Sequence, residues 1–264
     1  SHADLTVANP AANVVTVKET TRAGTGFLSI ESSDTTRLAT TNQANALVES
    51  VAVLPGDLNE DEVYVVVNRT INGSTERYIE RLTNIDFGTS ANDAFYVDSG
   101  LTYSGTAATT ISGLSHLEGE SVTVLANGAA HANKTVSSGA ITLDRSATKA
   151  QIGLGYTSQL RTMRIEGGSA QGTSQGAIKR IHDVTFRFFR TVGAKVGSSD
   201  TNHDSIPFRS SADEMGESLD LFTGDKTIEF PNGYDTDAHV FVKQEQPLPM
   251  TVIGIYARME VFDR

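Results

Sequence analysis

Cysteine is absent from this chain of 264 residues. Disulfides, thiolate catalysis and cysteine-ligated zinc are therefore excluded. Tryptophan is absent too, and there are only 6 prolines. No stretch approaches the roughly 18 consecutive apolar residues that mark a membrane-spanning helix. Positive charge is scarce: 21 Lys and Arg stand against 32 Asp and Glu, a formal net charge of −11. The deficit is spread along the chain, with 11 basic and 17 acidic residues in 1–165 and 10 and 15 in 166–264. Binding duplex DNA by phosphate neutralisation requires clustered Lys and Arg. An acidic chain of this kind instead repels DNA, which suits a wall past which DNA slides.

What is abundant is turn and strand chemistry. There are 23 glycines, with many Ser and Thr, and apolar residues alternate at a period of two in several places. The sequence VYVVVNRT-INGS-TERYIERL (residues 63–82) reads as a hairpin closed by a type I′ turn at Asn72-Gly73. That turn sets Arg69 opposite Glu76, Val67 opposite Tyr78, Val66 opposite Ile79 and Val63 opposite Leu82. Arg69 and Glu76 read as a surface ion pair worth about 0–1 kcal/mol. The run Val65-Val66-Val67 is apolar on both faces, which predicts a central strand, with Val51–Leu54 as a further strand.

Residues 98–143 form a Gly-punctuated segment. Ser121–Leu125 and Ala140–Leu143 alternate apolar and small polar residues, with turn signals at Asn127-Gly128 and Ser138-Gly139. The expectation is a three-strand antiparallel meander, with its middle strand running through Lys134–Val136. Ala150–Leu154 predicts another strand, and Gly155–Ile165 extended chain. Gly167–Gly176 reads as a linker. Beyond it, residues 178–192 predict a long strand with Val184, Phe186 and Phe188 on one face and Thr185, Arg187 and Thr191 on the other. Lys226–Phe230, Ala238–Val242 and Met250–Val261 predict further strands, and Asn232-Gly233 is a third Asn-Gly turn signal. Short strands are expected at Val14–Val17 and Phe27–Ile30, and a helical turn or loop at Asn42–Glu49.

The fold class expected is mainly β: antiparallel sandwich- or barrel-like modules built from hairpins and meanders. Three regions follow. Residues 1–47 are a lead-in, with Ser1-His2-Ala3 reading as a tag remnant. Residues 48–166 are a β domain holding the hairpin and the inserted meander. Residues 177–264 are a C-terminal β region packing back on the 48–82 hairpin.

Chemical motifs are weak throughout. Asp200-Thr201-Asn202-His203-Asp204 opens like a calcium loop, but Ser205 and Ser211 stand where Gly and Glu are required. Asp235 and Asp237 flank Thr236 and read as loop carboxylates, although paired carboxylates also serve glycoside hydrolysis. His182-Asp183 lacks a nucleophile elbow, and His116 reads as a packed turn residue. Lys179, Arg180, Arg187 and Arg190 cluster on one strand and are expected to pair with acidic neighbours. Neither a catalytic residue, a metal site nor a cofactor site is expected. The positions singled out are the structural turns Asn72, Gly73, Asn127, Gly128, Asn232 and Gly233.

The stretches VYVVVNRTINGSTERYIERL, DAFYVDSGLTYSG, ISGLSHLEGESVTVLANG, VSSGAITLD and IGLGYTSQL occur in one order, followed by FRSSADEMGESLDLFTGDK and QPLPMTVIGIYARMEVFDR. Together they resemble the C-terminal region of tail nozzle (tail tubular protein B-like) proteins of short-tailed bacteriophages, over residues 48–264. The resemblance implies a non-enzymatic structural component of the virion tail. It implies a homo-oligomer, a hexameric ring in the virion, contacting other phage tail proteins and passing double-stranded DNA transiently. Two alternatives from other classes are a receptor- or carbohydrate-binding β module that meets a host surface glycan, and a cell-envelope polysaccharide hydrolase. Tyr96, Tyr103, Tyr156 and Tyr234 grouped on one surface would favour the former.

Overall fold

The computed structural model describes residues 2–7, 15–20, 46–55, 61–84, 86–167, 173–211, 213–214 and 216–262. Among them the protein is almost all antiparallel strand, with two single-turn 3-10 helices and no α-helix. Strands β1 (His2–Val7) and β2 (Val15–Thr20) pair with each other. The expected strand at Phe27–Ile30 and the middle of the Gly167–Gly176 linker lie outside the described residues.

Strands β3 (Leu47–Pro55), β4 (Asp61–Ile71) and β5 (Ser74–Arg81) form a sheet with β4 in the centre. Leu47–Glu49, expected as helical turn or loop, is therefore strand. Asn72 and Gly73 close the β4–β5 hairpin at φ 47° and 78°. Their geometry gives the register expected from a two-residue turn, with Arg69 facing Glu76, Val67 facing Tyr78 and Val66 facing Ile79. The Leu82 amide donates to the Val63 carbonyl at 2.9 Å.

The second sheet is built from β6 (Asp98–Ser112), β7 (Ser121–Ala126), β8 (Ala129–Thr135) and β9 (Ala140–Leu154). Asn127 and Gly128, at φ 49° and 76°, close the β7–β8 hairpin. The strand order β6-β9-β7-β8 corrects the simple meander: β9 leaves β8 and runs between β6 and β7. The cause is its length. Ile141 and Leu143 are buried near its start and Ala150, Ile152 and Leu154 near its end, so two short apolar signals are one strand. The polar stretch Asp144–Lys149 disguises this, and register shifts against β6 change the buried parity there. The core of this module gathers Ile111, Leu114, Leu117, Val122, Val124 and Ile152, with Ile71 arriving from the hairpin.

The C-terminal region holds two sheets. Strand β11 (Ile178–Thr191) lies between β14 (Phe222–Glu229) and β16 (Val252–Phe262). Strands β10 (Ser158–Arg161), β15 (Phe241–Gln244), β12 (Lys195–Gly197) and β13 (His203–Ser205) form the other, in the order β10-β15-β12-β13. Val184, Phe186 and Phe188 are buried on one face of β11, as alternation requires. Thr191 is a correction. A register shift between Phe188 and Thr191, with Arg190 at φ 43°, turns Thr191 into the core. There its hydroxyl donates to the Phe189 carbonyl and accepts from the Thr251 amide. Asn232-Gly233 is also a correction: neither residue has positive φ, and the strands flanking it, β14 and β15, lie in different sheets. Ala94, Leu125, Val192 and Leu248 form a small cluster that joins the C-terminal region to the β6–β9 module.

Candidate functional site

On β4 the side chains of Val67, Arg69 and Ile71 share one face, and all three are buried. A guanidinium in an apolar stripe requires a counter-charge, because a buried unpaired ion is costly. Glu80 on β5 supplies it. Arg69 Nε and Nη2 donate to the two Glu80 carboxylate oxygens, each at 2.8 Å. This overturns the surface pair with Glu76. Glu76 does face Arg69 in the ladder, but it is exposed near the hairpin tip, and the Arg69 side chain is only 4% exposed. The guanidinium therefore turns along the face towards the buried carboxylate. Its Nη1 remains buried without a hydrogen-bond partner.

Two further elements meet this pair. Asp98 and Ser99 open β6 at a register shift, and Ser99 has φ 48°. Such a bulge re-aims side chains beside a site. The 3-10 turn Ser115–Leu117 carries His116, whose Nε2 donates to the Ser99 carbonyl at 2.9 Å. The Tyr78 hydroxyl donates to the His116 carbonyl at 2.8 Å, and the two rings meet edge to face at 6.0 Å. The hairpin is thereby fastened to the module.

Between them lies a cleft of about 690 Å³, lined among others by Glu80, Tyr96, Asp98, His116 and Tyr156. Its electrostatics separate the two carboxyls. Burial pushes the Glu80 carboxyl up, but the Arg69 hydrogen bonds and charge more than reverse this and hold it below the usual carboxylate range. Burial raises Asp98; the Arg69 charge opposes the rise only in part, and Glu80 adds to it. The Tyr156 phenol is pushed up to about 12 by burial and then by Asp98 and Tyr96. Environments that drive two carboxyls apart in one cleft are a feature of functional sites.

The same face of the hairpin sheet continues past Arg69 and Glu80 without cover among the described residues. Ladder pairing places Val51, Val53, Val63, Val65 and Leu82 on it together. Val51, Val53 and Leu82 are each more than half exposed. The opposite face carries polar ladders, in which Glu49 binds Arg77 and Asn68 and Glu62 binds Arg81 and Tyr64, with Leu54 and Ile79 exposed between them. The Arg69–Glu80 pair therefore marks where the covered half of an apolar face becomes bare.

The positions singled out from sequence divide. Asn72 docks on the module, its amide donating to Glu120 at 2.7 Å. The Asn127 side chain accepts from the amides of Thr148 and Lys149. Both turns organise the fold and lie apart from any shared chemistry, and Asn232-Gly233 joins neither. Asp235 accepts from the Asp237 amide at 3.0 Å, and Asp237 is paired with Arg164. Asp200 pairs with Lys243, and among the described residues no acidic or histidine group assembles to hold a metal. Arg187 is held by Asp225 and Arg190 by Asp86. Tyr96 and Tyr156 share the cleft. Tyr103 instead donates to the Thr106 carbonyl, and Tyr234 packs on Phe262 and under Arg180. Glu80 and Asp98 were missed as a pair. The available signal was Arg69, a charge in the alternating run Val65, Val67, Arg69, Ile71.

No model of a known protein family matches this chain, and no curated protein matches it.

Proposed function

We propose that this protein is a structural component of the tail of a short-tailed bacteriophage, a nozzle or tail-tip protein that works by self-association and turns over no substrate. The observation that carries the reading is the bare apolar half of the β3–β4–β5 sheet. Exposed apolar faces of this kind mark association surfaces, and here one end of the face is already packed while the other waits for cover. A second copy of the chain in a ring, within the virion tail and beside other tail proteins, supplies that cover. The acidic balance supports a conduit role for double-stranded DNA. Arg187, Arg190 and Arg258 are each engaged by an aspartate, so these three cations are not free to hold phosphates.

Two measurements test this. Antibodies to the chain should decorate the tail tip of the intact particle; labelling confined elsewhere overturns the location. Sedimentation of the purified chain over a concentration series should show self-association. Tight duplex binding with a steep salt dependence would remove the conduit reading, because a wall that grips DNA does not let it slide.

A further inference from the structure

Several features were candidates for a second role. The groove of about 380 Å³ lined by Ala130, Val192, Phe208 and Leu248, with Arg209, Glu217 and Gln246, carries nothing to identify an occupant. Lys179 is fully buried, with its Nζ 3.4 Å from the Ile165 carbonyl, and that contact points to no ligand. The cleft at the base of the hairpin differs from both, because three of the polar groups lining it show no hydrogen bond among the described residues. Among the described residues, none donates to or accepts from the Tyr96 hydroxyl, the Asp98 carboxyl or the Tyr156 hydroxyl.

From the cleft's geometry we infer that it is a binding site for a neutral saccharide, gripped by Tyr96, Asp98 and Tyr156. Ligand sites are concave, mostly apolar and equipped with a few convergent polar groups. This cleft has aromatic walls in Phe87 and Tyr96, whose rings meet edge to face at 5.9 Å, so that one ring is steadied by the other. Apolar ring faces suit the C–H faces of a sugar. Two phenolic hydroxyls and one carboxyl, each able to accept a hydrogen bond and each without a partner among the described residues, suit its hydroxyl groups. Arg69 behind the cleft keeps Glu80 ionised and fixed, so Glu80 is a positioning residue for the wall. The Arg69 cation stands behind this wall beside Glu80, and the groups facing the cleft are two neutral phenols and one half-buried carboxyl, a set that suits a neutral polyhydroxylated ligand. The inference does not depend on the tail location: the gripping residues Tyr96, Asp98 and Tyr156 lie outside the hairpin sheet, and only its Leu82 edge is shared between the cleft and the bare face.

The test is saturation-transfer NMR on the whole chain with a mixture of glucose, galactose, mannose, rhamnose, N-acetylglucosamine and N-acetylgalactosamine. Lysine and arginine amides serve as cationic competitors. Transfer to sugar ring protons is expected. Asp98→Asn and Tyr156→Phe, both close in shape to the native side chains, should each weaken binding by about tenfold, the scale of one lost hydrogen bond to a buried group. Their unfolding midpoints, measured alongside, separate lost binding from lost fold. If neither variant is folded, Tyr96→Phe gives the same reading with a smaller change. Absence of transfer to every sugar overturns the inference, as does preferential binding of the cations. Undiminished sugar binding in both folded variants places any saccharide site elsewhere and overturns it equally. None of these outcomes bears on whether the chain self-associates.

Discussion

The β6–β9 sheet and the β3–β5 sheet are built from the same antiparallel hairpin chemistry, yet they stand in opposite relations to water. The first encloses its own core, with Leu114, Leu117, Val122 and Ile152 fully buried. The second borrows a core at one end, where Ile71 joins that cluster, and leaves Val51, Val53 and Leu82 in solvent at the other. A three-stranded sheet with one open apolar face is only marginally stable by itself. The difference shows that the hairpin sheet is an arm, anchored by the module at one end and left uncovered at the other by every described residue.

The largest effect should come from the anchor. Arg69→Ala leaves Glu80 buried without its cation, and loss of one partner of a buried pair costs about 3–5 kcal/mol. Urea unfolding should show this loss. Replacing both partners with Met and Leu should recover much of it, because the desolvation cost of both charges is then removed. The pair also sets a pH signature. Glu80 titrates below its ordinary value of 4.5 in the folded protein. Its contribution is therefore present above pH 4.5 and lost as pH falls through the folded-state value. Asp98 has the opposite sign: its pKa is raised above 3.8, so its burial costs stability as pH rises through the window above 3.8 and is relieved on acidification. Wild-type stability should fall below pH 4.5, and Arg69→Ala should flatten or reverse that fall.

Next in size is the enclosed core itself. Leu117→Ala empties a fully buried site, and such truncations cost about 2–5 kcal/mol. An unchanged urea midpoint would mean that the module core does not hold the fold. The turns come third. Gly73 sits at φ 78° with open space around it, so Gly73→Val costs backbone strain alone, on the order of 1–3 kcal/mol. Gly233 lacks that conformation and also has nothing near its Cβ position, so Gly233→Ala should leave the melting temperature unchanged. Equal effects at the two positions would break the distinction between a hairpin turn and an ordinary connection.

These residues also show how much of the molecule is legible in the chain. The β4–β5 register follows from one dipeptide, because a two-residue turn leaves no freedom in pairing. The same reasoning fails at Asn232-Gly233, where the flanking strands belong to different sheets and no hairpin exists to be closed. It fails again at β9, because alternation reports burial locally and says nothing about which neighbour a strand chooses. The candidate cleft was least legible. Glu80, Asp98 and His116 come from a hairpin, a bulge and a 3-10 turn, and no spacing rule connects them. Only Arg69, out of place among alternating valines, pointed there, and the choice of Glu80 over Glu76 was made by burial.

The smallest effect on stability should come from the bare half of the arm, and it separates the two sheets most cleanly. Val53 is 57% exposed and faces Val63 across the ladder. Val53→Ser removes little that the isolated chain buries, so unfolding measured in dilute solution should shift by no more than about 0.5 kcal/mol, the range of ordinary surface substitutions. Self-association, followed by sedimentation over the same concentration series as the wild type, should weaken sharply if this face meets a second copy, because the hydroxyl would be desolvated inside the contact. The same change at Val124, fully buried in the module, should do the reverse, lowering stability while leaving any association of the surviving folded chains intact. If Val53→Ser destabilises the dilute chain as much as Val124→Ser does, the arm is covered from within and the contrast between the two sheets collapses. If it alters neither stability nor association, the bare valines are a surface without a partner, and the ring must be closed by another part of the molecule.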